Sequence, residues 1–319
     1  MISPDIQTVE PATNLDVELP QTPIFLPEEP MRLVDSLSRA ERAQAISEGL
    51  LYESGRASRF RVLVDDLLIL RANLGLLMWR AWLDTKARYR RSFLGPWWLT
   101  IGTLTFVVGY SVLAGFLFNR PLEEFLGYIA CGVVIWQMIT LMLTEGSKVF
   151  VANASEIKSV RTALLSYPVK LLIKGLISFL HSMPIVLLVV YFTDGLNMNT
   201  LMLFPGLLLL CLTMVPIAAM LGTLAARFRD IEQVVSMLMQ FSFYMTPLLW
   251  KVELLGDGMG RWIALGNPFY YAITIIRNPL LGLPISNQVW IVTIAVTVFA
   301  NIIGYAIFAR FRQRLPYWI

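Results

Sequence analysis

Six apolar segments of about 20 residues most strongly limit how this chain can fold. A helix rises 1.5 Å per residue, so about 20 apolar residues span the roughly 30 Å hydrocarbon core of a bilayer. Charged residues are almost absent from these segments, with Lys174 as the exception. The sequence therefore predicts an all-α, polytopic membrane protein with six transmembrane helices. The expected spans are 96–118, 125–144, 172–192, 201–224, 233–250 and 288–309.

The basic residues between these segments predict the orientation of the chain. Lys and Arg cluster before the first span, between the second and third, between the fourth and fifth, and after the sixth. The first two loops on the other side, 119–124 and 193–200, hold one basic residue, Arg120. Because basic loops stay on the cytoplasmic side, we expect an inner-membrane protein with both termini in the cytoplasm.

The first 60 residues differ in composition from the rest of the chain. Residues 1–30 hold six acidic residues, six prolines and no Lys or Arg. Such a segment has little apolar surface with which to form a packed core. We therefore expect residues 1–60 to form a partly disordered cytoplasmic extension, followed by a helical segment at 61–95 and a membrane domain at 96–319.

The segment 61–95 is predicted to contain an amphipathic helix over residues 67–89. Trp82 falls with other apolar residues on one face, whereas Arg80, Asp84 and Arg88 fall on another. This pattern is typical of a helix that lies in the bilayer interface. A soluble helix that packs on a partner protein has the same pattern, and the sequence leaves that alternative open.

The external segment 251–287 is too apolar for a free loop, and its glycines and prolines interrupt it too often for a regular span. Irregular backbone at membrane depth persists only where protein or a wet cavity satisfies its polar groups. One interpretation is a re-entrant segment over the outer mouth of a pathway. The alternative is an aromatic loop at the membrane surface.

Motifs of soluble catalysis are absent from the sequence. It has no phosphate-binding loop G-x-x-x-x-G-K-[ST], no H-E-x-x-H and no Cys/His cluster. Cys131 and Cys211 lie in apolar runs, and the lone His181 has no acidic partner in any span, which favours structural roles. A proton-coupled transporter carries acidic residues at membrane depth. We therefore expect no catalytic residue, metal or cofactor in this chain, no nucleic-acid partner, and an energy source in another protein.

Ala218, Gly222 and Ala226 recur at four-residue spacing in and just after the fourth expected span. Small residues at this spacing let two helices approach closely. The spacing fits a seam between two subunits and internal packing equally well.

The loop from Glu145 to Pro168 is long enough for a helix that lies across the inner surface. Its mixed charges suit docking to a soluble partner. A solvated loop is the alternative.

Four sequence motifs carry a resemblance to a known family. They are Ala87-Arg-Tyr-Arg-Arg-Ser-Phe-Leu-Gly-Pro-Trp-Trp, Ala226-Arg-Phe-Arg-Asp-Ile, Asn267-Pro-Phe followed by Arg277, and Arg314-Leu-Pro-Tyr-Trp-Ile. Together they resemble the membrane subunit of ABC exporters for lipid-linked polysaccharides, the O-antigen and capsule permease type. The likeness covers residues 60–319, so the first 60 residues are an addition to the pattern.

The resemblance implies a half-transporter that works as a homodimer with two copies of a separate ABC ATPase, which binds ATP and Mg. It implies that the amphipathic helix 67–89 acts as a gate at the lipid interface. It also implies a coupling helix at 149–165 that transmits ATPase movement, with Asn153, Glu156, Lys158 and Arg161 as candidate residues. The cargo would be a polysaccharide on undecaprenyl diphosphate. Teichoic acid or a hydrophobic small molecule is an alternative cargo, and a non-transporting membrane scaffold is an alternative of another class.

Two sets of residues are candidates for binding such a cargo. Arg88, Arg90 and Arg91 precede the first span, and guanidinium groups bind phosphate oxygens bidentately. Topology control and contact with anionic lipid are the alternative roles of these arginines. Aromatic rings suit a sliding sugar chain, although most aromatics in membrane proteins serve packing or the interface belt. The candidate path aromatics are Trp97, Trp98, Tyr110, Tyr128, Trp136, Phe243 and Tyr244.

Overall fold

The computed structural model describes residues 59–88, 90, 92–95, 97–159, 162–193, 197–256 and 258–319. Every regular element among these residues is helical. The α-helices are α1 (Arg59–Ala72), α2 (Leu74–Arg88), α3 (Trp97–Phe118), α4 (Glu123–Lys148), α5 (Ala154–Ser159), α6 (Ser166–Thr193), α7 (Leu203–Arg227), α8 (Asp230–Met245), α9 (Met259–Gly266), α10 (Pro268–Leu280), α11 (Asn287–Phe311) and α12 (Leu315–Trp318). Short 3₁₀ helices occupy Val151–Asn153, Met198–Met202, Val252–Leu255 and Arg312–Arg314. The predicted extension, residues 1–60, lies outside the described residues except for its last two.

Five helical segments in the described part of the chain are long and apolar enough to cross a membrane. They are Thr100–Phe118, Glu123–Lys148, Ser166–Tyr191, Met198–Arg227 and Asn287–Trp318. These segments coincide with the first four expected spans and the sixth. A multi-pass, all-helical membrane architecture is therefore confirmed.

The fifth expected span, 233–250, is shorter in the structure than the sequence suggested. Helix α8 has 16 residues, which gives it a length of about 24 Å against a hydrocarbon core of about 30 Å. Its end has a local cause, because Pro247 has no N–H group and disfavours helical backbone in the residue before it. Thr246 is accordingly extended, with φ −89° and ψ 135°.

Helix α4 is the centre of the fold. In its most apolar stretch 72% of the residues are buried, against 22% in α3. It packs against α6, α7, α8 and α10, and α7 packs in turn along α11. Helix α3 therefore lies at the periphery, where its apolar residues face outwards.

Small residues let the central helices approach closely. A Cβ atom added at Gly146 of α4 would lie 2.9 Å from the Cβ of Ala218, and one added at Gly222 would lie 2.9 Å from the carbonyl oxygen of Gly146. Ala226 is also buried. The four-residue spacing in α7 is therefore explained by packing inside one chain.

Helices α4 and α7 end at Lys148 and Arg227, and Arg312 directly follows α11. These three basic residues lie at one end of the molecule, which we call the basic end. The buried carboxylate of Asp66 in α1 forms an ion pair there with Arg312. The Nζ of Lys158 donates a hydrogen bond to the carbonyl oxygen of Ile319. The first described helix and the last residues of the chain therefore lie at the same end.

The amphipathic segment forms two helices, because α1 and α2 are separated at Asn73. The Nδ2 of Asn73 donates to the carbonyl oxygen of Ile69 at 2.9 Å, a local side-chain bond of the kind that competes with regular helix. Helix α2 packs along α6. Its Met78 and Trp82 are exposed, whereas Leu77 is buried.

Candidate transport site

A groove of about 500 Å³ runs between α3, α4 and α8. Three aromatic rings form its wall, with centroids 6.0 Å apart for Phe106–Phe243 and 6.0 Å apart for Trp136–Phe243. Its polar lining residues are Gln137, Thr140, Thr144 and Glu145. Three of the ten lining residues are thus aromatic, and the single ionisable lining residue, Glu145, lies near the basic end of α4.

Chemically, this lining suits binding and passage better than catalysis. The Nε2 of Gln137 donates to the Oγ1 of Thr103 at 3.1 Å, so part of the groove's polar surface is already satisfied within the protein. Aromatic faces offer contact area without fixing a ligand through many directional bonds. No group of three or more possible metal ligands occurs among the described residues.

The candidate path aromatics lie in five different places. Trp136 and Phe243 line the groove. Tyr110 does not line the groove but packs on Phe106, with the two ring centroids 4.2 Å apart. Tyr244 is exposed beside Phe243, Trp97 and Trp98 are exposed at the start of α3, and Tyr128 belongs to a separate cluster at the other end of the molecule.

Phe106 lines the groove and was not among the candidates. A sequence signal for it exists, because Gly102, Phe106 and Tyr110 repeat every four residues and thus share one face of α3. Gly102 also lines the groove.

A buried arginine, Arg277, links neighbouring segments at the end of the molecule opposite the basic end. Arg277 of α10 is 2% exposed. Its Nη1 donates to the carbonyl oxygen of Pro247 at 2.8 Å, and its Cζ lies 3.7 Å from the ring centroid of Tyr128. The hydroxyl of Tyr128 donates to the same carbonyl at 3.1 Å. Arg277 therefore fixes the chain just beyond α8 against α4.

Asn267 strengthens this attachment. Its Oδ1 accepts from the backbone N–H of Phe269 at 2.9 Å and so caps α10. Its Nδ2 donates to the Oγ1 of Thr246 at 2.8 Å. No carboxylate of the described residues forms an ion pair with Arg277, so a carbonyl and an aromatic face stabilise its buried charge.

The candidate arginines lie near a second basic group. Arg88 and Arg90 are exposed, and Arg91 lies outside the described residues. Lys170 and Lys174 of α6 are 3.4 Å and 3.7 Å from the carboxylate of Asp84. Arg88 is close enough to Lys174 for the two charges to interact. Lys170, Lys174 and Arg88 therefore form a group of three cations near the carboxylate of Asp84.

The residues predicted for a coupling helix lie in and beside α5. Asn153 caps the preceding turn by donating from Nδ2 to the carbonyl oxygen of Val149 at 2.7 Å. Glu156 accepts from Arg80 of α2 at 2.8 Å, and Lys158 binds the carbonyl of Ile319. Arg161 lies outside the described residues. Glu156 and Lys158 therefore contact the chain itself.

A bundle of apolar helices beside an aromatic groove defines this chain as a multi-pass membrane protein built for transport. The sequence model of the family described as "ABC-2 type transporter" matches residues 72–281, and the chain belongs to this family. Members of this family are transport subunits without catalytic activity, and they partner an ABC ATPase.

Individual relatives are similar over most of their length. The O-antigen export system permease protein RfbA of Klebsiella pneumoniae is 23% identical over 72% of this chain and 90% of its own. The protein of the same name from Myxococcus xanthus is 25% identical over 67% of this chain and 79% of its own. A further Klebsiella pneumoniae RfbA is 25% identical over 72% and 90%.

Proposed function

We propose that this chain is the membrane-spanning half of an ATP-driven exporter that moves undecaprenyl-diphosphate-linked polysaccharide from the cytoplasmic to the periplasmic side. The aromatic groove between α3, α4 and α8 carries this proposal. It offers rings and few fixed polar groups, which suits a polymer that must slide past without stopping. The similarity to O-antigen export permeases favours the same class of cargo.

The proposed assembly is a homodimer with two copies of a separate ABC ATPase, which supplies the ATP and Mg sites. Helix α8, one wall of the groove, carries an apolar stripe at helical spacing that is exposed in the single chain. The stripe consists of Val234, Met237, Leu238, Phe241 and Tyr244. A second copy placed against this stripe would close the groove into a pathway.

The proposed topology has six crossings and places the basic end in the cytoplasm of an inner-membrane protein. Five crossings would place the first and last described helices on opposite sides, yet Asp66 and Arg312 are in contact. Helix α8 together with the extended residues after Met245 supplies the sixth crossing. The positive-inside distribution of Lys and Arg supports the same orientation.

The segment between α8 and α11 is proposed to re-enter the membrane from the outside. Arg277 of α10 lies beside Gly132, where an added Cβ would be 3.7 Å from its Nη1. Gly132 is the tenth residue of α4, so it lies about 14 Å from the outer end of that helix. Contact at this depth supports a re-entrant hairpin and disfavours a surface loop.

The lipid carrier is proposed to bind where α2 meets the inner surface. Arg88, Arg90 and Arg91, with Lys170 and Lys174, would contact the diphosphate, because guanidinium and ammonium groups at headgroup level attract phosphate. The exposed Met78, Trp79 and Trp82 of α2 would lie in the interface. Helix α2 would then act as a gate for the carrier.

Transport in proteoliposomes tests this function. The chain is reconstituted with its ATPase partner, and ATP-dependent transfer of undecaprenyl-diphosphate-linked polysaccharide into the lumen is measured. Phe106→Leu/Phe243→Leu removes two rings of the groove but keeps apolar volume, and we expect transport to fall about thirtyfold because the two lost ring contacts contribute about 1 kcal/mol each. Trp262→Ala, an exposed aromatic on α9, is the matched control and should leave transport unchanged.

Three results would reject the proposal. Uphill transport by the chain alone on an ion gradient would remove the need for an ATPase. Stimulation of ATP hydrolysis by teichoic acid or a hydrophobic small molecule, and not by the lipid-linked polysaccharide, would identify another cargo. A scaffold that transports nothing would show neither transfer nor cargo-stimulated hydrolysis.

A further inference from the structure

One face of α2 packs against the rest of the protein. This face carries both apolar and charged residues, so it does not coincide with the apolar face that the sequence indicates. Leu77, Arg80, Ala81 and Asp84 follow the i, i+3, i+4, i+7 spacing of a single helical stripe. Leu77 and Ala81 are buried, and α2 packs along α6. The two charged residues of the stripe therefore lie between α2 and its neighbours, where they are available to bind other elements.

These two charged residues bind two different elements. The Nη1 of Arg80 lies 2.8 Å from the Oε1 of Glu156 in α5. One turn further along, the carboxylate of Asp84 lies 3.4 Å and 3.7 Å from the Nζ atoms of Lys170 and Lys174 in α6. Helix α2 therefore connects α5 with the base of α6.

Helix α5 is held by the chain on one side and open on another. Ile157 packs on the core, and Lys158 binds the carbonyl of Ile319. Ser155 and Ser159 are exposed. A partner that docks on the exposed side of α5 would thus displace a helix whose Glu156 is already bound to α2.

We propose that Arg80 is a positioning residue that joins α5 to α2, so that movement of α5 by the ATPase moves α2 and the cations at its end. This proposal rests on the proposed function. The ion pairs of Asp84 with Lys170 and Lys174 form the fixed point about which α2 would move. Arg88 lies one turn beyond that fixed point, so a shift at Arg80 changes the position of the cations that contact the diphosphate.

Arg80 and Glu156 are exposed enough to act as a movable connection between α2 and α5, which we call the joint, and they contribute less as a bond that stabilises the fold. The side chains of Arg80 and Glu156 are 44% and 32% exposed, and such surface pairs contribute little to folding. The buried Leu77 and Ala81 hold α2 on α6 without this pair. Breaking the pair should therefore leave the fold and the docking of α2 intact, and should remove only the connection to α5.

A charge exchange tests the joint in the complete complex of this chain with its ATPase. The variants are Arg80→Glu, Glu156→Arg and the double variant R80E/E156R, with Arg71→Glu at the exposed end of α1 as the matched control. We measure polysaccharide exported per ATP hydrolysed, ATP hydrolysis and copurification of the ATPase. Each single variant should lower the export ratio about fivefold with copurification unchanged, and the double variant should recover most of it.

A second measurement does not depend on the cargo. Spin labels at Trp79→Cys in α2 and Leu187→Cys in α6, with Cys131 and Cys211 replaced by Ala, should report a change in their distance when ATP binds. The change should be lost in R80E and return in R80E/E156R. If wild-type complex shows this change but exports no polysaccharide, the proposed cargo is wrong and the joint stands.

Three outcomes would overturn the joint. One is an export ratio that is the same in both single variants as in R71E. Another is a loss of ATPase copurification in E156R that the double variant does not restore, since Glu156 would then contact the ATPase directly. The third is an ATP-dependent distance change that persists in R80E.

Discussion

The two ends of this molecule join their helices by different means. At the basic end, Arg80 and Glu156 form an ion pair between two partly exposed side chains. At the opposite end, the buried Arg277 binds the Pro247 carbonyl and the face of Tyr128. An exposed pair breaks and reforms at small cost, because water replaces each partner. A buried guanidinium that loses its partners has no such replacement, so the basic end is the adjustable one.

The largest effect that would test this contrast is expected from Arg277→Met. The substitution removes a charged hydrogen bond and a cation–π contact, which together are worth about 3 kcal/mol. Thermal unfolding in detergent should show a clear loss of stability. Arg120→Met, which removes an exposed pair with Glu124, is the control and should unfold near wild type. Equal stability of the two variants would contradict a fixed outer end.

A smaller effect at the same end is expected from Asn267→Ala. This substitution removes the cap of α10 and the bond to Thr246, with a combined cost of about 1.5 kcal/mol. Asn267→Ser keeps a side-chain oxygen for the cap but is too short to reach Thr246, so its stability should lie between wild type and Asn267→Ala. Hydrogen exchange of α10 amides would show where the loss occurs. Exchange that rises only in α5 would refute the assignment.

The smallest effect is expected at the basic end, from Glu156→Gln. An exposed pair contributes about 0–1 kcal/mol, so unfolding should barely change. The difference in stability from wild type should shrink further when salt is raised, because dissolved ions screen exposed charges. The screening length is about 8 Å at physiological ionic strength. A loss as large as that of R277M would make the two ends equivalent.

The membrane spans could be predicted from sequence because their length and composition are local properties. The end of α8 has an equally local cause in Pro247. Each of these features depends on residues adjacent in the chain, so neither requires knowledge of the fold.

The contacts of α2 could not be predicted in this way. Arg80 was placed with the solvated face, but its partner Glu156 is 76 residues away. Nothing in the local pattern separates an arginine that faces water from one that binds a remote carboxylate.

The candidate site falls between these cases. Trp136 and Phe243 could be named as aromatics in spans, but their meeting with Phe106 depends on how α3, α4 and α8 pack. Arg277 was noticed through a motif, and only the packing of α10 shows that its charge is buried against Tyr128.

The bond from Lys158 to Ile319 has a practical consequence for labelling. Because this bond holds Ile319 beside α5, a fluorophore attached at Ile319→Cys lies within a few ångströms of the surface where the ATPase is proposed to dock. A small dye there would serve as a proximity reporter of subunit association. A bulky label at the same position would compete with that association.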